Sequence, residues 1–218
     1  MRIFDKLSKE EWLEIRKGII TATEASALLK LDKWAKVSDI IKEKENPSFT
    51  GNAYTWVGSQ LERVVVEAVN TMLDRRFRLF DTVDGKTIYV NEELKLGATP
   101  DATDEEVLLE CKTTGKRNWY SWSNIPPLKY VCQLQVQLCC CGYKEGVLAI
   151  LCTDLQQTSR ELRLKLSTFK IVKCNRFESL LKRKVEDFWE KGADKYRISS
   201  TDSSLAKLLL LGSVTKES

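Results

Sequence analysis

Two hydrophobic periods divide this chain, and the change from one to the other limits the folds open to it. Val57, Leu61, Val65, Ala68 and Met72 recur at steps of three and four, the spacing of one apolar helix face. From Arg76 onward the period shortens toward two. Phe77 to Val83, the turn Asp84-Gly85 and Lys86 to Val90 predict a hairpin. Leu96 to Ala102 and Val107 to Lys112 flank the acidic turn Thr103 to Glu106 as a second pair, and Val147 to Cys152 and Leu162 to Leu166 add strands. Helical signals surround these runs. Ser8 with Glu11 and Thr21 with Glu24 form capping boxes for helices through about Lys17 and Leu29, parted at Gly18. A short helix follows Ser38, and a loop from Glu45 to Thr55 leads to the long helix Trp56 to Leu73. Pro126 or Pro127 opens a helix that runs to Cys141 and stops at Gly142. Asn175 with Glu178 caps a last long helix to Lys191, with Gly192 just beyond it. The expected architecture is α/β, a central mixed β-sheet flanked by α-helices.

With 218 residues, 43% of them apolar, the chain can bury one substantial core. We expect a single domain over 1–198, with helices in 8–73 and the sheet with its helices in 76–192. Residues 199–218 then form a tail with a short apolar helix, Leu205 to Leu211. The aliphatic run Leu208 to Leu211 is far short of the roughly 20 residues of a membrane span. The amino terminus has no signal-peptide stretch either, so the expectation is a cytoplasmic protein with no membrane partner. Seven cysteines, with Cys139, Cys140 and Cys141 adjacent, match neither a disulfide framework nor zinc spacings, and the trio reads as helix core.

The chain contains no histidine, which excludes Ser-His-Asp and Cys-His nucleophile pairs, histidine metal ligands and histidine bases. Catalysis is left to carboxylates, lysine or a bound metal. Charge is polarised: 16 basic and 21 acidic residues run up to Glu110, and 19 and 10 follow it. That distribution suits an acidic metal site beside a polyanion, and unevenly spread solvated charge fits it as well. Asp101 ends one predicted strand, while Glu110 and Lys112, two apart on the next, project from one face. Carboxylates brought together across a short turn repel unless a cation lies between them, and oxygen-only ligation suits Mg²⁺ or Mn²⁺. A lysine beside such a site can position water or stabilise developing phosphorane charge.

Thr99-Pro100-Asp101 followed by Glu110-Cys111-Lys112 resembles the signature of the PD-(D/E)XK nuclease superfamily. Four further segments resemble its phage lambda exonuclease branch, the YqaJ-like viral recombinases. They are Trp12 to Arg16, Ile20 to Thr23, Gly58 to Glu62 and Tyr130 to Gln135. The resemblance implies a restriction-endonuclease-like core and a Mg²⁺-dependent hydrolase that degrades one strand of linear double-stranded DNA from its 5′ end. Two Mg²⁺ ions are implied, with Mn²⁺ able to substitute. Asp101, Glu110 and the Cys111 backbone carbonyl would be ligands, joined by Glu62 from the long helix. Lys112 would orient the water, and Gln133 would hold the nucleophile or the scissile strand. Gln133, Gln135 and Gln137 alternate with apolar residues, so each also reads as a polar position on a packed helix.

Arg16 and Thr23, brought together across the Gly18 connection, offer a guanidinium and a hydroxyl beside helix N–H groups, a ready anion pocket. By resemblance this pocket takes the 5′-phosphate. Thr23 and Thr99 stand where the family has serines, and Asn118 stands where it has a second arginine, with Lys116 or Arg117 as substitutes. Tyr54 and Trp56, in the loop before Gly58, occupy the place of the family's duplex-end wedge. Trp119, Tyr120 and Trp122 suit base stacking or a buried plug equally, and the basic run Arg160 to Lys184 suits a phosphate backbone or a solvated face. Iron-sulfur relatives need an early cysteine, and this chain has none before Cys111. The implied partners are double-stranded DNA ends, a single-strand annealing protein in phage-type homologous recombination, and further copies of the chain in a ring trimer. A structure- or sequence-specific endonuclease and a non-catalytic DNA-binding module are the rival readings.

Overall fold

The structure, a computed structural model, describes residues 1–47, 53–80, 86–154, 165–192 and 195–217. The chain begins with β1 (Arg2–Leu7), α1 (Lys9–Lys17), β2 (Ile20–Thr21), α2 (Ala22–Leu28), α3 (Val37–Glu45) and α4 (Ala53–Leu73). Next come β3 (Arg78–Leu79), β4 (Lys86–Asn91), β5 (Leu96–Ala98), β6 (Ala102–Thr103), β7 (Val107–Thr114) and α5 (Lys116–Trp122). It finishes with α6 (Leu128–Cys141), β8 (Glu145–Cys152), β9 (Lys165–Val172), α7 (Asn175–Lys191), α8 (Ser200–Leu211) and β10 (Val214–Glu217). Among these residues no helix is long and apolar enough to cross a membrane.

A six-stranded sheet in the order β10-β9-β8-β7-β6-β3 forms the centre. Only β7 and β8 are parallel within it, in register from Val107 opposite Glu145 to Thr114 opposite Cys152. Both faces of this pair are covered, which is why β8 is a nearly unbroken apolar run. Leu109 and Cys111 with Val147 and Ala149 pack on Val65 and Val69 of α4. Leu108, Leu148 and Ile150 pack on the other side against Leu134 and Leu138 of α6. Gly146 permits that close approach: a Cβ there would lie 2.9 Å from Leu134 Cδ1. A mixed four-stranded sheet, β1-β4-β5-β2, lies beside the first. The α/β class with a mixed sheet between helices is as the sequence implied; the second sheet was not foreseen.

Both amino-terminal capping boxes form, with Ser8 and Thr21 accepting from the N–H groups of Glu11 and Glu24. Elsewhere the boundaries move. β3 and β4 do not make a hairpin: β3 pairs with β6, and β4 pairs with β1 and β5 in the other sheet. The turn Asp84-Gly85 lies outside the described residues. The expected strand Leu96 to Ala102 breaks at Thr99-Pro100-Asp101 into β5 and β6, since proline cannot donate to a ladder. α4 starts at Ala53, before the predicted Trp56. The strand placed at Leu162 to Leu166 is β9, from Lys165, and its earlier positions lie outside the described residues, as do those of the basic run before Lys165. The Asn175-Glu178 box is absent because Cys174 is the N-cap and Glu178 pairs with Lys173 at 2.9 Å.

The carboxyl-terminal residues are built into the molecule. α8 begins at Ser200, well before Leu205, and β10 pairs along β9. The Tyr196 hydroxyl donates to the Leu28 carbonyl at 3.2 Å and the Ser203 hydroxyl to that of Leu29 at 3.1 Å, tying this region to the end of α2. α7 holds α8 through Lys184, whose Nζ lies 3.0 Å from both Asp187 and Asp202. Hydrogen bonds from Lys184 and Ser199 hold the Asp202 carboxyl below its ordinary range. Such a group stabilises the fold above its unfolded pKa and loses that contribution as pH falls through the folded one. Asp202→Asn should therefore cost about 1 kcal/mol in urea unfolding at neutral pH. The gap from the unsubstituted protein should close below about pH 4; a gap independent of pH would mean the ion pair is not its source.

Candidate active site

The period of two along β7 turns Glu110 and Lys112 toward α6 and Leu109 and Cys111 toward α4. Glu110 is fully buried. Its Oε1 accepts from Lys112 Nζ and from Gln133 Nε2, and its Oε2 accepts from Gln137 Nε2. Gln133 and Gln137 are one helical turn apart on α6, so both amides face the same carboxylate. Lys112 also lies 5.3 Å from the centre of the Tyr130 ring, which meets Trp122 edge-on at 5.5 Å. Asp101 stands at the break between β5 and β6, where its Oδ2 accepts from the Cys111 N–H at 2.7 Å.

Charge in this group is strained in one direction. Burial raises the Asp101 carboxyl well above its ordinary range, and the neighbouring Glu110 and Glu62 raise it further. Burial and Glu110 likewise raise Glu62. Burial opposes the charge of Lys112, yet Glu110 and Asp101 outweigh it and keep the ammonium above its ordinary value. The Cys111 thiol is pushed up by burial and is no nucleophile at neutral pH.

A cavity of about 730 Å³ opens onto these residues, lined by Asp101, Cys111, Lys112, Gln133 and Glu62 together with Thr99, Arg16 and Thr23. Two sets of side chains that lie far apart in the chain therefore share one space. Glu110 does not line it; Lys112 and Gln133 stand between its carboxylate and the opening. Arg16 is stacked on Trp12, with its guanidinium carbon 4.3 Å from the ring centre. Lys44 Nζ donates to the Arg16 carbonyl and to Glu24 Oε2, both at 2.7 Å. Glu24 and Glu43 line the cavity beside Arg16.

Other expected site residues are placed differently. Lys116 and Arg117 are exposed on α5 and do not line the cavity; the Lys116 N–H is taken by Asp154. Trp56 lies within α4 and not in a loop, exposed, two residues before Gly58, which lines the cavity. Tyr54 belongs to the start of α4, where side chains lie outside the described residues. The aromatic trio divides: Trp119 is buried as a plug, Tyr120 is exposed, and Trp122 meets Tyr130. Lys44 and Gln137 carried no sequence signal as site residues, although the four-residue spacing from Gln133 could have pointed to the second.

Among the described residues no three His, Cys, Asp or Glu side chains stand as a ready metal cage, because Glu110 is turned into Lys112 and the two amides. The donor set nevertheless fits a hard divalent cation. Asp101, Glu62 and Glu110 are all oxygen donors, and the repulsion that raises Asp101 and Glu62 is what a cation relieves.

Residues 11–144 match the family model described as the YqaJ-like viral recombinase domain. The uncharacterized protein YqaJ of Bacillus subtilis (strain 168) is 26% identical over 156 residues, 67% of this chain and 47% of that protein, so the chain spans about half of its relative's length. Among solved structures, the alkaline exonuclease LHK-Exo from Laribacter hongkongensis superposes with a TM-score of 0.65 at 16% identity. That match covers 92% of this chain and 97% of the other. A phage-related exonuclease from Haemophilus somnus 129PT gives 0.57 at 12% identity, covering 87% and 96%. At these identities the two structures speak for the fold, whereas the family match spans more than half the sequence and contains Asp101, Glu110 and Lys112. The chain belongs to the YqaJ-like viral recombinase family.

Proposed function

We propose that the protein is a metal-dependent exonuclease that degrades one strand of linear double-stranded DNA from its 5′ end. The observation that carries this reading is the shared cavity, which Arg16 and Thr23 line together with Asp101, Glu62, Lys112 and Gln133. An end-gripping pair and a hydrolytic set in one space suit removal of a terminal nucleotide. Water adds to the phosphorus, the bond to the 3′ oxygen breaks, and that oxygen leaves as a hydroxyl. The shortened strand keeps a 5′-phosphate, which Arg16 and Thr23 can grip again. Lys112 orients the water and Gln133 holds it or the scissile strand. Mg²⁺, two ions with Mn²⁺ as a substitute, would be held by Asp101, Glu62, Glu110 and the Cys111 carbonyl and would supply positive charge at the phosphate. LHK-Exo has been crystallised with dAMP, a nucleoside monophosphate of the product class this reaction releases. A ring trimer around the duplex and a single-strand annealing partner, both implied by the family, complete the proposal.

Digestion of linear duplexes carrying 5′-phosphate or 5′-hydroxyl on either strand, beside closed circles, tests it. Mg²⁺-dependent release of mononucleotides from 5′ ends, stopped by chelator and absent on circles, is the expected result. Cutting of circles would establish the endonuclease instead, and digestion from 3′ ends would reverse the polarity.

A further inference from the structure

Glu110 has two unlike sides. The donors to Oε1, Lys112 and Gln133, line the cavity, so that oxygen is on the cavity side of the buried carboxylate, directly behind them. Among the described residues the donor to Oε2 is Gln137, fully buried and not lining the cavity. Gln137 is itself half satisfied: its Nε2 serves Glu110, but its own Oε1 is buried with no hydrogen-bond partner. A buried amide with an orphan acceptor is a poor choice for filling a core of Leu134, Leu138 and Leu108. What the position gains is the donor.

We propose that Gln137 is a positioning residue for the metal centre: it pins Oε2 of Glu110 so that the carboxylate meets a divalent cation through Oε1 alone. The inference rests on the reading of Glu110 as a metal ligand. Partners that hold a ligating carboxylate from behind set both its orientation and its affinity. Single-oxygen ligation also discriminates. Mn²⁺ and Mg²⁺ keep compact octahedral shells, whereas Ca²⁺ accepts both oxygens of one carboxylate. Freeing Oε2 should therefore weaken Mn²⁺ and spare Ca²⁺.

Mn²⁺ and Ca²⁺ binding to the whole, DNA-free protein can be measured by calorimetry, with Mn²⁺ checked by paramagnetic resonance, for the unsubstituted chain, Gln137→Met and Gln137→Leu. Both variants remove the donor at similar volume. Mn²⁺ affinity should fall about tenfold, while Ca²⁺ affinity stays within about threefold. Gln135→Met is the control from the same helix, since Gln135 holds the Val172 carbonyl and the Cys174 N–H instead. It should leave the ratio of the two affinities alone. Equal loss of both ions, unchanged Mn²⁺ binding, or failure of both Gln137 variants to fold makes Gln137 a structural residue and overturns the proposal. If the unsubstituted protein binds no Mn²⁺, the metal reading of Glu110 fails first, and is told apart from these outcomes by that arm.

Discussion

Lys112→Ala and Glu110→Ala should each reduce cleavage of linear duplex DNA by at least about a thousandfold, while affinity for the duplex stays within about tenfold, roughly 1.4 kcal/mol. The asymmetry follows from position. Neither side chain belongs to an exposed basic surface: Glu110 is fully buried and Lys112 is drawn against it. In the proposed reaction each would act on the reacting phosphate and not on the length of the backbone. The two substitutions differ in their cost to the fold. Removing Lys112 leaves a buried carboxylate held, among the described residues, by Gln133 and Gln137, and breaking a buried ion pair from one side costs about 3–5 kcal/mol. Circular dichroism must therefore accompany the rates. Substantial cleavage by either folded variant removes the pair from the catalytic set.

Arg16→Ala should lower the rate on 5′-phosphorylated ends by one to two orders of magnitude, the kinetic equivalent of about 1.5–3 kcal/mol for a charge-assisted contact. On 5′-hydroxyl ends it should change little. The charges around Arg16 sharpen the contrast. Glu24 and Glu43 line the same part of the cavity, and Lys44 is already engaged by Glu24. Without the guanidinium that wall becomes acidic and repels a terminal phosphate. The Trp12 ring, on which Arg16 rests, stays in place to keep the pocket's shape. Loss by the same factor on both ends would make Arg16 a general backbone contact or a fold residue, and the assignment of the 5′ end would fail even with the metal site intact.

What could be read from the residues alone was what short-range chemistry decides. A capping box needs four consecutive positions, so Ser8-Glu11 and Thr21-Glu24 were legible, and period two along β7 placed Glu110 and Lys112 on one face. Choice of strand partner is a long-range matter. Nothing near Arg78 says that it pairs with Thr103 and not with the strand following Gly85. β1 and β10 were missed because both are largely exposed, with no buried alternate face to mark them. In the site, the family pattern named Asp101, Glu62, Lys112, Gln133, Arg16, Thr23 and Thr99, which line the cavity, but also Glu110, Lys116 and Arg117, which do not, and packing supplied the rest. Gln137 is silent until α6 is laid over β7, and Lys44 until α3 is set beside Arg16.

The tie between the end of α2 and the Tyr196 to Ser203 region bears on when the wall behind Thr23 is set. Thr23 sits on α2, and the end of that helix is bonded to Tyr196 and Ser203, across 168 and 174 residues of chain. Contacts of such sequence separation form late in folding. The wall that carries Thr23 thus gains these anchors only after the chain has been made through Ser203. A nascent chain already holding Asp101, Glu110 and Lys112 would lack those two anchors beneath the wall that carries Thr23. Chain order itself places the anchoring of that wall after synthesis of the strands that carry Asp101, Glu110 and Lys112.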